Sequence, residues 1–328
     1  MFNWPAPEAW SRLYPGMQGQ TRVRLKGVAT PDHPDDNCLI FVRSWSAESA
    51  RALSGLSRAL LLLPADRQGR HAELEARNGV IYHEDPRYLY ACIAGRFFDL
   101  QAHRGTLRLQ PESGVIMAED VHVDPTARLE PGVTICRGCR IGPGAHVLSG
   151  ARLGPEVTIG RNSVVRENAV LGGFGFGYAL APGRPPMRLP HLGGVILGEQ
   201  VEVGALTTVC SGTIEPTRIE DRVKIDDHVH IAHNCHLQPD VMVTACAELS
   251  GSVRVGGRSW LGPNCSVINK IRIGPDCTIG LGAVVTEDVP ERATVTGNPA
   301  RPLKQVLRER RALRRMLKDP SPPGSDRP

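Results

Sequence analysis

A chain of 328 residues is long enough for two domains, or for one long repeat domain with appendages. Apolar residues make up 41% of it but aromatic ones only 5%, so any core is aliphatic, and 35 glycines with 27 prolines suit many short segments joined by turns. The net charge of +5 is local, because residues 301–318 hold eight basic side chains against the single acid Glu309, and this excludes nucleic-acid binding by the whole surface.

The start, MFNWPAPEAW, lacks a charged-then-apolar pattern, and no later run reaches ~18 uninterrupted apolar residues. The chain is therefore expected to be soluble and cytoplasmic, with no membrane span. Residues 1–115 read as a small α/β domain. An apolar run from Cys38 to Val42 follows turn residues, and SRALLLLPA and NGVIYHEDP read as buried strands closed by proline. SAESARALSG and PRYLYACIAGRFF read as helices, the second with Pro86 in its first turn.

From Val123 onward a period of six takes over. An aliphatic residue recurs at Val123, Leu129, Ile135, Ile141, Val147, Leu153, Ile159 and Val165, and four positions after each stands a small or short one, from Ala127 to Ala169. The phase breaks at Gly172, resumes at Leu197, Val203 and Val209, and after a slip runs through twelve hexads from Ile219 to Val285. Each hexad supplies a short strand and a turn, and three make one triangular coil whose aliphatic residues point inward. A coil cannot bury its own apolar face, so coils stack ~4.8 Å apart. Such hexads resemble the left-handed parallel β-helix, predicted here over 116–290 with an inserted loop at 172–195.

Nine cysteines, an odd number scattered through a chain of this size, read as reduced thiols. The lone C-x-x-C of Cys136 and Cys139 falls in repeat phase, so no metal is expected there. The inserted loop carries four prolines, seven glycines and the aromatics Phe174, Phe176 and Tyr178, which argue against plain disorder and for a functional segment. Residues 291–318 read as a cap and a basic helix, and 319–328 as a disordered tail.

The motifs GFGFGY (173–178), RLPHLGGVILGEQVEVGALTTV (188–209) and KIDDHVHIAHN (224–234) resemble the UDP-3-O-acylglucosamine N-acyltransferase family, and FVRS (41–44) with EDPRYLY (84–90) resembles its uridine-binding domain. The resemblance implies transfer of an acyl group from a thioester to the amine of a UDP-type amino sugar, in lipid A or surface-polysaccharide synthesis. No permanently bound cofactor is implied, only the phosphopantetheine thioester of an acyl carrier protein or CoA as co-substrate. It makes His233 the catalytic base, an imidazole suited to accept the amine's proton near neutrality. It also implies a homotrimer. Substrate contacts by the same resemblance are Phe41, Phe174, Phe176, Tyr178, Arg188, His191, Asp226 and Asn234. This chain departs from the family at three places. Lys270 stands where the second active-site histidine is expected, and Cys210–Ser211 replaces an acid-Arg pair. Phe41 loses its aromatic partner to Ala47, leaving Trp45 as a substitute stacking surface.

The segment IRIGPDCTIGLGAVVTEDVPERATVTGNPARPL is similar to amino-sugar acetyltransferases that use acetyl-CoA. That similarity makes Gly280, Gly282, Asn298, Pro299 and Ala300 candidate donor contacts, together with Gly251. Arg308, Arg311 and Arg315 share one face of the basic helix and suit an acidic acyl carrier protein. An acetyl-CoA-dependent sugar N-acetyltransferase is the alternative reading. A zinc enzyme of the γ-carbonic anhydrase type, using His228, His233 and His191, is a remote one. A catalytically silent scaffold is the last.

Overall fold

The computed structural model describes residues 2–297 and 303–318. The expected contacts at Asn298, Pro299 and Ala300, and the 319–328 tail, lie outside the described residues. After a short helix α1 (Trp10–Leu13), the N-terminal part forms strands β1 (Gln18–Gly19), β2 (Gly27–Val28) and β3 (Cys38–Phe41), helix α2 (Ala47–Leu53), strand β4 (Leu60–Pro64), helix α3 (Ala72–Arg77), strand β5 (Gly79–His83), and helices α4 (Pro86–Phe97) and α5 (Leu100–Arg104). Sheet order is β1-β5-β4-β3-β2, parallel except for β1 against β5. Leu60 to Leu63 are all fully buried, which is why an unbroken apolar run becomes a central strand covered on both faces. Ser46 caps α2 by accepting from Ser49 N–H, and Asp85 caps α4 ahead of Pro86.

The hexads build a three-sided parallel β-helix. Val123, Ile141, Ile159, Leu197, Ile219, Leu237, Val255 and Ile273 stack in the first sheet. The second sheet runs from Leu129 to Val295, and the third from Met117 through Leu153, Leu171, Val209, Ile231 and Leu249 to Val285. Inward aliphatics such as Ile231, Leu249 and Leu261 are fully buried, and so are corner residues such as Val241 and Cys265. Val123, Ala127 and Leu129 in the first coils are only partly buried, because a terminal coil has a neighbour on one side only. An antiparallel strand, Arg108–Leu109, covers that end of the third sheet. Cys139 lies buried at a corner, its thiol donating to the Gly154 carbonyl at 3.0 Å and pushed up to about 12 by burial. It is a packing residue.

Three residues after most of these aliphatics, φ turns positive. Asn234 (φ 61) suits that left-handed turn, whereas Lys270 (φ 67) is held there by the stacking of its coil. The C-terminal helix α6 spans Leu303–Lys318. Among the described residues, no helix is long and apolar enough to cross a membrane.

Candidate functional site

The site grows from one edge of the prism, where the chain turns from the third sheet to the first. Residues 172–194 leave there after Leu171, and residues 211–216 leave one coil later, after Val209 and Cys210. The next coils turn the same corner without insertion, which puts His233, Gly251 and Asn269 in one column. The two insertions are tied together. Ser211 Oγ accepts from Gly194 N–H (2.9 Å) and donates to the Gly212 carbonyl (3.1 Å), and Gly194 bridges Gly212. The first insertion is an ordered hairpin, Tyr178–Ala179 against Met187–Arg188. Its Ala179 and Leu189 are buried in the core of the α/β domain, and Tyr88 donates to the Pro185 carbonyl at 3.1 Å. The hairpin thus straps the α/β domain across the third sheet.

A cleft of about 750 Å³ opens between the two parts. The α/β side contributes Phe41, Arg43, Arg87 and Tyr90; the β-helix contributes His233, Asn234, Glu248, Gly251 and Lys270; and Phe176 and Thr213 come from the insertions.

His233 is oriented by its neighbour. Asn234 Oδ1 accepts from Thr213 N–H (3.2 Å) and Thr213 Oγ (3.1 Å), while its Nδ2 donates to the Glu215 carbonyl (3.2 Å). These partners fix which end of the amide is oxygen. His233 Nδ1, 2.9 Å from the same Oδ1, must therefore carry the hydrogen. In the neutral ring the free lone pair then lies on Nε2. A Cβ on Gly251 would stand 2.8 Å from His233 Cε1 and 2.9 Å from Nε2, so only glycine leaves the lone pair accessible.

His191 lies behind it, fully buried, the two ring centroids 5.2 Å apart and nearly perpendicular. Its Nδ1–H donates to the Leu189 carbonyl (3.0 Å), and Nε2 has no partner. Burial, then the charge of His233, pulls its pKa down to about 4, so the ring is neutral. At the other wall, burial and then the Arg43 guanidinium hold Arg87 below its ordinary range. Neither arginine has an ion pair among the described residues. Two neighbouring cations without ion pairs in a cleft have the charge to hold a polyanion.

Of the residues expected from the sequence, Phe41, Phe176, His233, Asn234, Gly251 and Lys270 line the cleft. Trp45 does not. It lies 4.1 Å from the His71 ring, and the ring facing Phe41 is Tyr90, at 4.8 Å. The reason is that α4 crosses over β3 and fills the place Trp45 was expected to take. Tyr178 and Arg188 hold each other on the hairpin, with the guanidinium 4.7 Å over the ring and bonded to its hydroxyl. Phe174 points away from the cleft, among Phe98, His103 and His191. Asp226, Gly280 and Gly282 sit at a different corner, between the second and third sheets; Asp226 caps turns there by accepting from Asp227 N–H (2.8 Å) and Ala245 N–H (3.1 Å). Arg308, Arg311 and Arg315 are exposed on α6. Cys210 is buried beneath the second insertion, its thiol pushed up to about 11 by burial. The zinc reading finds no ligand set, because no three His, Cys, Asp or Glu side chains among the described residues are grouped to hold a metal.

Sequence reasoning missed Arg43, Arg87 and Tyr90 as individual residues. Their signal was present in FVRS and EDPRYLY, but only the docking of the α/β domain turns those side chains toward His233.

The proteins that this fold and site resemble are the hexapeptide-repeat acyltransferases. No family model matches the chain. Among named proteins, it is similar to the UDP-3-O-acylglucosamine N-acyltransferase of Caulobacter sp. (strain K31), 39% identical over 151 residues that make up 46% of this chain and 44% of that one. The enzyme of the same name from Janthinobacterium sp. (strain Marseille) is 29% identical over 178 residues, 54% of this chain and 45% of that one. Each match therefore spans less than half the length of the relative. A solved UDP-N-acetylglucosamine acyltransferase from Campylobacter jejuni covers 62% of this chain and 85% of its own, at 21% identity and a TM-score of 0.48.

Proposed function

We propose that the protein is an N-acyltransferase that moves an acyl group from a thioester to the amine of a nucleotide-linked, UDP-type amino sugar. The observation that carries this is the Thr213–Asn234–His233 chain, which fixes the hydrogen of a neutral His233 on Nδ1 beside a cleft with two arginines on its other wall. The amine nitrogen attacks the thioester carbonyl, and His233 Nε2 takes the proton it sheds. The C–S bond then breaks, and the imidazolium returns the proton to the departing thiolate. The oxyanion formed in between needs a donor; Gly251 N–H stands beside His233 and has no partner among the described residues. Arg43 and Arg87 would hold the diphosphate, and Phe41 with Tyr90 offers an aromatic wall for the base.

The donor is the phosphopantetheine thioester of an acyl carrier protein or of CoA. Exposed Arg308, Arg311 and Arg315 support an acidic carrier. Nine unpaired cysteines support a reducing, cytoplasmic setting. The relatives' name supports a UDP-linked acceptor. A homotrimer is the assembly proposed. The test is a screen of both donor types against nucleotide amino sugars, with mass-spectrometric detection of the N-acylated product. Product formation that is lost in His233→Ala supports the reading; no thioester consumption with any pair overturns it.

A further inference from the structure

The cleft that holds His233 is not uniformly cationic. Arg43, Arg87 and Lys270 line it, but so does Glu248, the one carboxylate among its lining residues, and the proton transfer to His233 makes no use of it. Glu248 belongs to the strand Glu248–Leu249 of the third sheet. Leu249 turns into the prism, so the side chain before it faces outward and lies half-buried in the cleft. Ser250 Oγ donates to Glu248 Oε1 at 3.1 Å. Ser250 is followed directly by Gly251, where any Cβ would strike the His233 ring, so this bond ties the carboxylate to the reacting corner. The other oxygen, Oε2, has no partner among the described residues. Its neighbours in register, His230 one coil before and Ser266 one coil after, neither bond nor ion-pair with it there. Elsewhere in the stack a charge finds its partner one coil away, as Arg222 does in Asp240 and Arg258 in Asp276, both at 2.7 Å. Glu248 has no such partner, and a half-buried carboxylate with a free oxygen is an open acceptor for a charged donor.

We propose that Glu248 is a specificity residue whose carboxylate binds the ammonium form of the acceptor's amine. The proposal rests on the reading of the cleft as a nucleotide amino-sugar site, and it adds what selects the amino sugar. Such an acceptor is anionic at its diphosphate and cationic at its amine, and the cleft offers the complement, two arginines on one wall and one carboxylate beside His233. A hydroxyl in place of the amine carries no charge and gains less from the carboxylate. An amine of this kind, losing its proton at about 8 like an α-amino group, is largely ammonium near neutrality. Before attack it gives one proton to the water of the open cleft. The second passes to His233 Nε2 as the C–N bond forms, and then to the departing thiolate. Glu248 holds the group and carries neither proton.

The probes are UDP-glucosamine and UDP-glucose, which differ only by an amine in place of a hydroxyl. Both are titrated into the full chain by calorimetry near neutral pH, with no acyl donor present. UDP-glucosamine should bind about tenfold more tightly, as one charge-assisted hydrogen bond at a half-buried site allows. Glu248→Gln keeps the shape of the side chain and an oxygen for Ser250 Oγ. It should weaken UDP-glucosamine alone and bring the two affinities together. Equal affinity of both nucleotides for the unaltered protein overturns the proposal and leaves the nucleotide reading standing. A preference that survives Glu248→Gln also overturns it, as does an equal loss of both ligands in that variant, which would make the carboxylate a support of the cleft wall. Binding of neither nucleotide to the unaltered protein overturns the nucleotide reading and this proposal with it.

Discussion

Replacing Asn234 by glycine isolates the device that orients His233. Glycine keeps the left-handed turn at φ 61 without strain, so the substitution deletes the amide and little else. Four hydrogen bonds go with it: from His233 Nδ1–H, from Thr213 N–H and Oγ–H, and to the Glu215 carbonyl. At about 1 kcal/mol net for each, reduced because water reaches a half-buried site, the loss comes to about 2 kcal/mol. That corresponds to a Tm lower by about 3 °C for a chain of 328 residues. The imidazole also loses the acceptor that fixes its tautomer. Nitrogen-15 spectra should show Nδ1–H alone in the unaltered protein, and a mixture in Asn234→Gly. One orienting bond of about 1.4 kcal/mol is worth tenfold in rate, and a general base as a whole about 10²–10⁴. Acyl transfer should therefore fall between those limits, by less than in His233→Ala. Asn234→Asp, which keeps an acceptor oxygen, should preserve the Nδ1–H form. A protonated Nε2 in the unaltered protein, or an unchanged tautomer in Asn234→Gly, would refute the reasoning.

Gly251→Ala should remove acyl transfer with little change in unfolding midpoint, since the new methyl stands within 3 Å of the His233 ring and touches no core. Arg87→Ala should raise the KM for the nucleotide sugar about tenfold or more and weaken its salt dependence, with kcat less affected. Ile231→Ala, a fully buried rung, should lower the free energy of unfolding by about 2–5 kcal/mol in denaturant titrations. Acid should also destabilise the fold. His191 and His103 are both held near 4 when folded, against 6.5 for a free imidazole, so their neutral burial costs nothing above 6.5 and is penalised as pH falls toward 4. Each full shift is worth about 3 kcal/mol, and His103→Gln should flatten part of that slope in pH-dependent unfolding.

The β-helix was legible because each hexad carries its own instructions. The burial of Ile231, Leu249 or Cys265 follows from position in a six-residue period, with no knowledge of distant chain. His233 was legible through the resemblance carried by IAHN, whereas the structure shows Gly251, 18 residues on, at the same corner one rung higher. The wall facing them was not. Arg87 meets His233 only because the hairpin fixes where the α/β domain sits, and that placement depends on packing between segments about a hundred residues apart. The same explains Trp45. From spacing alone it stood near Phe41, but α4 brings Tyr90 to that face and leaves Trp45 against His71. Asp226 and the two distal glycines were displaced for a simpler reason: they occupy a different third of the hexad cycle, and a corner is set by sheet, not by distance along the chain.

The insertions at the third-to-first corner have a consequence for how such a site can change. Both leave the prism and return to it in register, Val195 stacking above Val157 and Thr217 above Val195. The length of an insertion is therefore invisible to the coils that follow. Residues that shape one wall of the cleft can be lengthened, shortened or exchanged, while His233 and Gly251 keep their spacing to within the stiffness of the stack. Acceptor preference and proton transfer are, in this architecture, separately heritable traits.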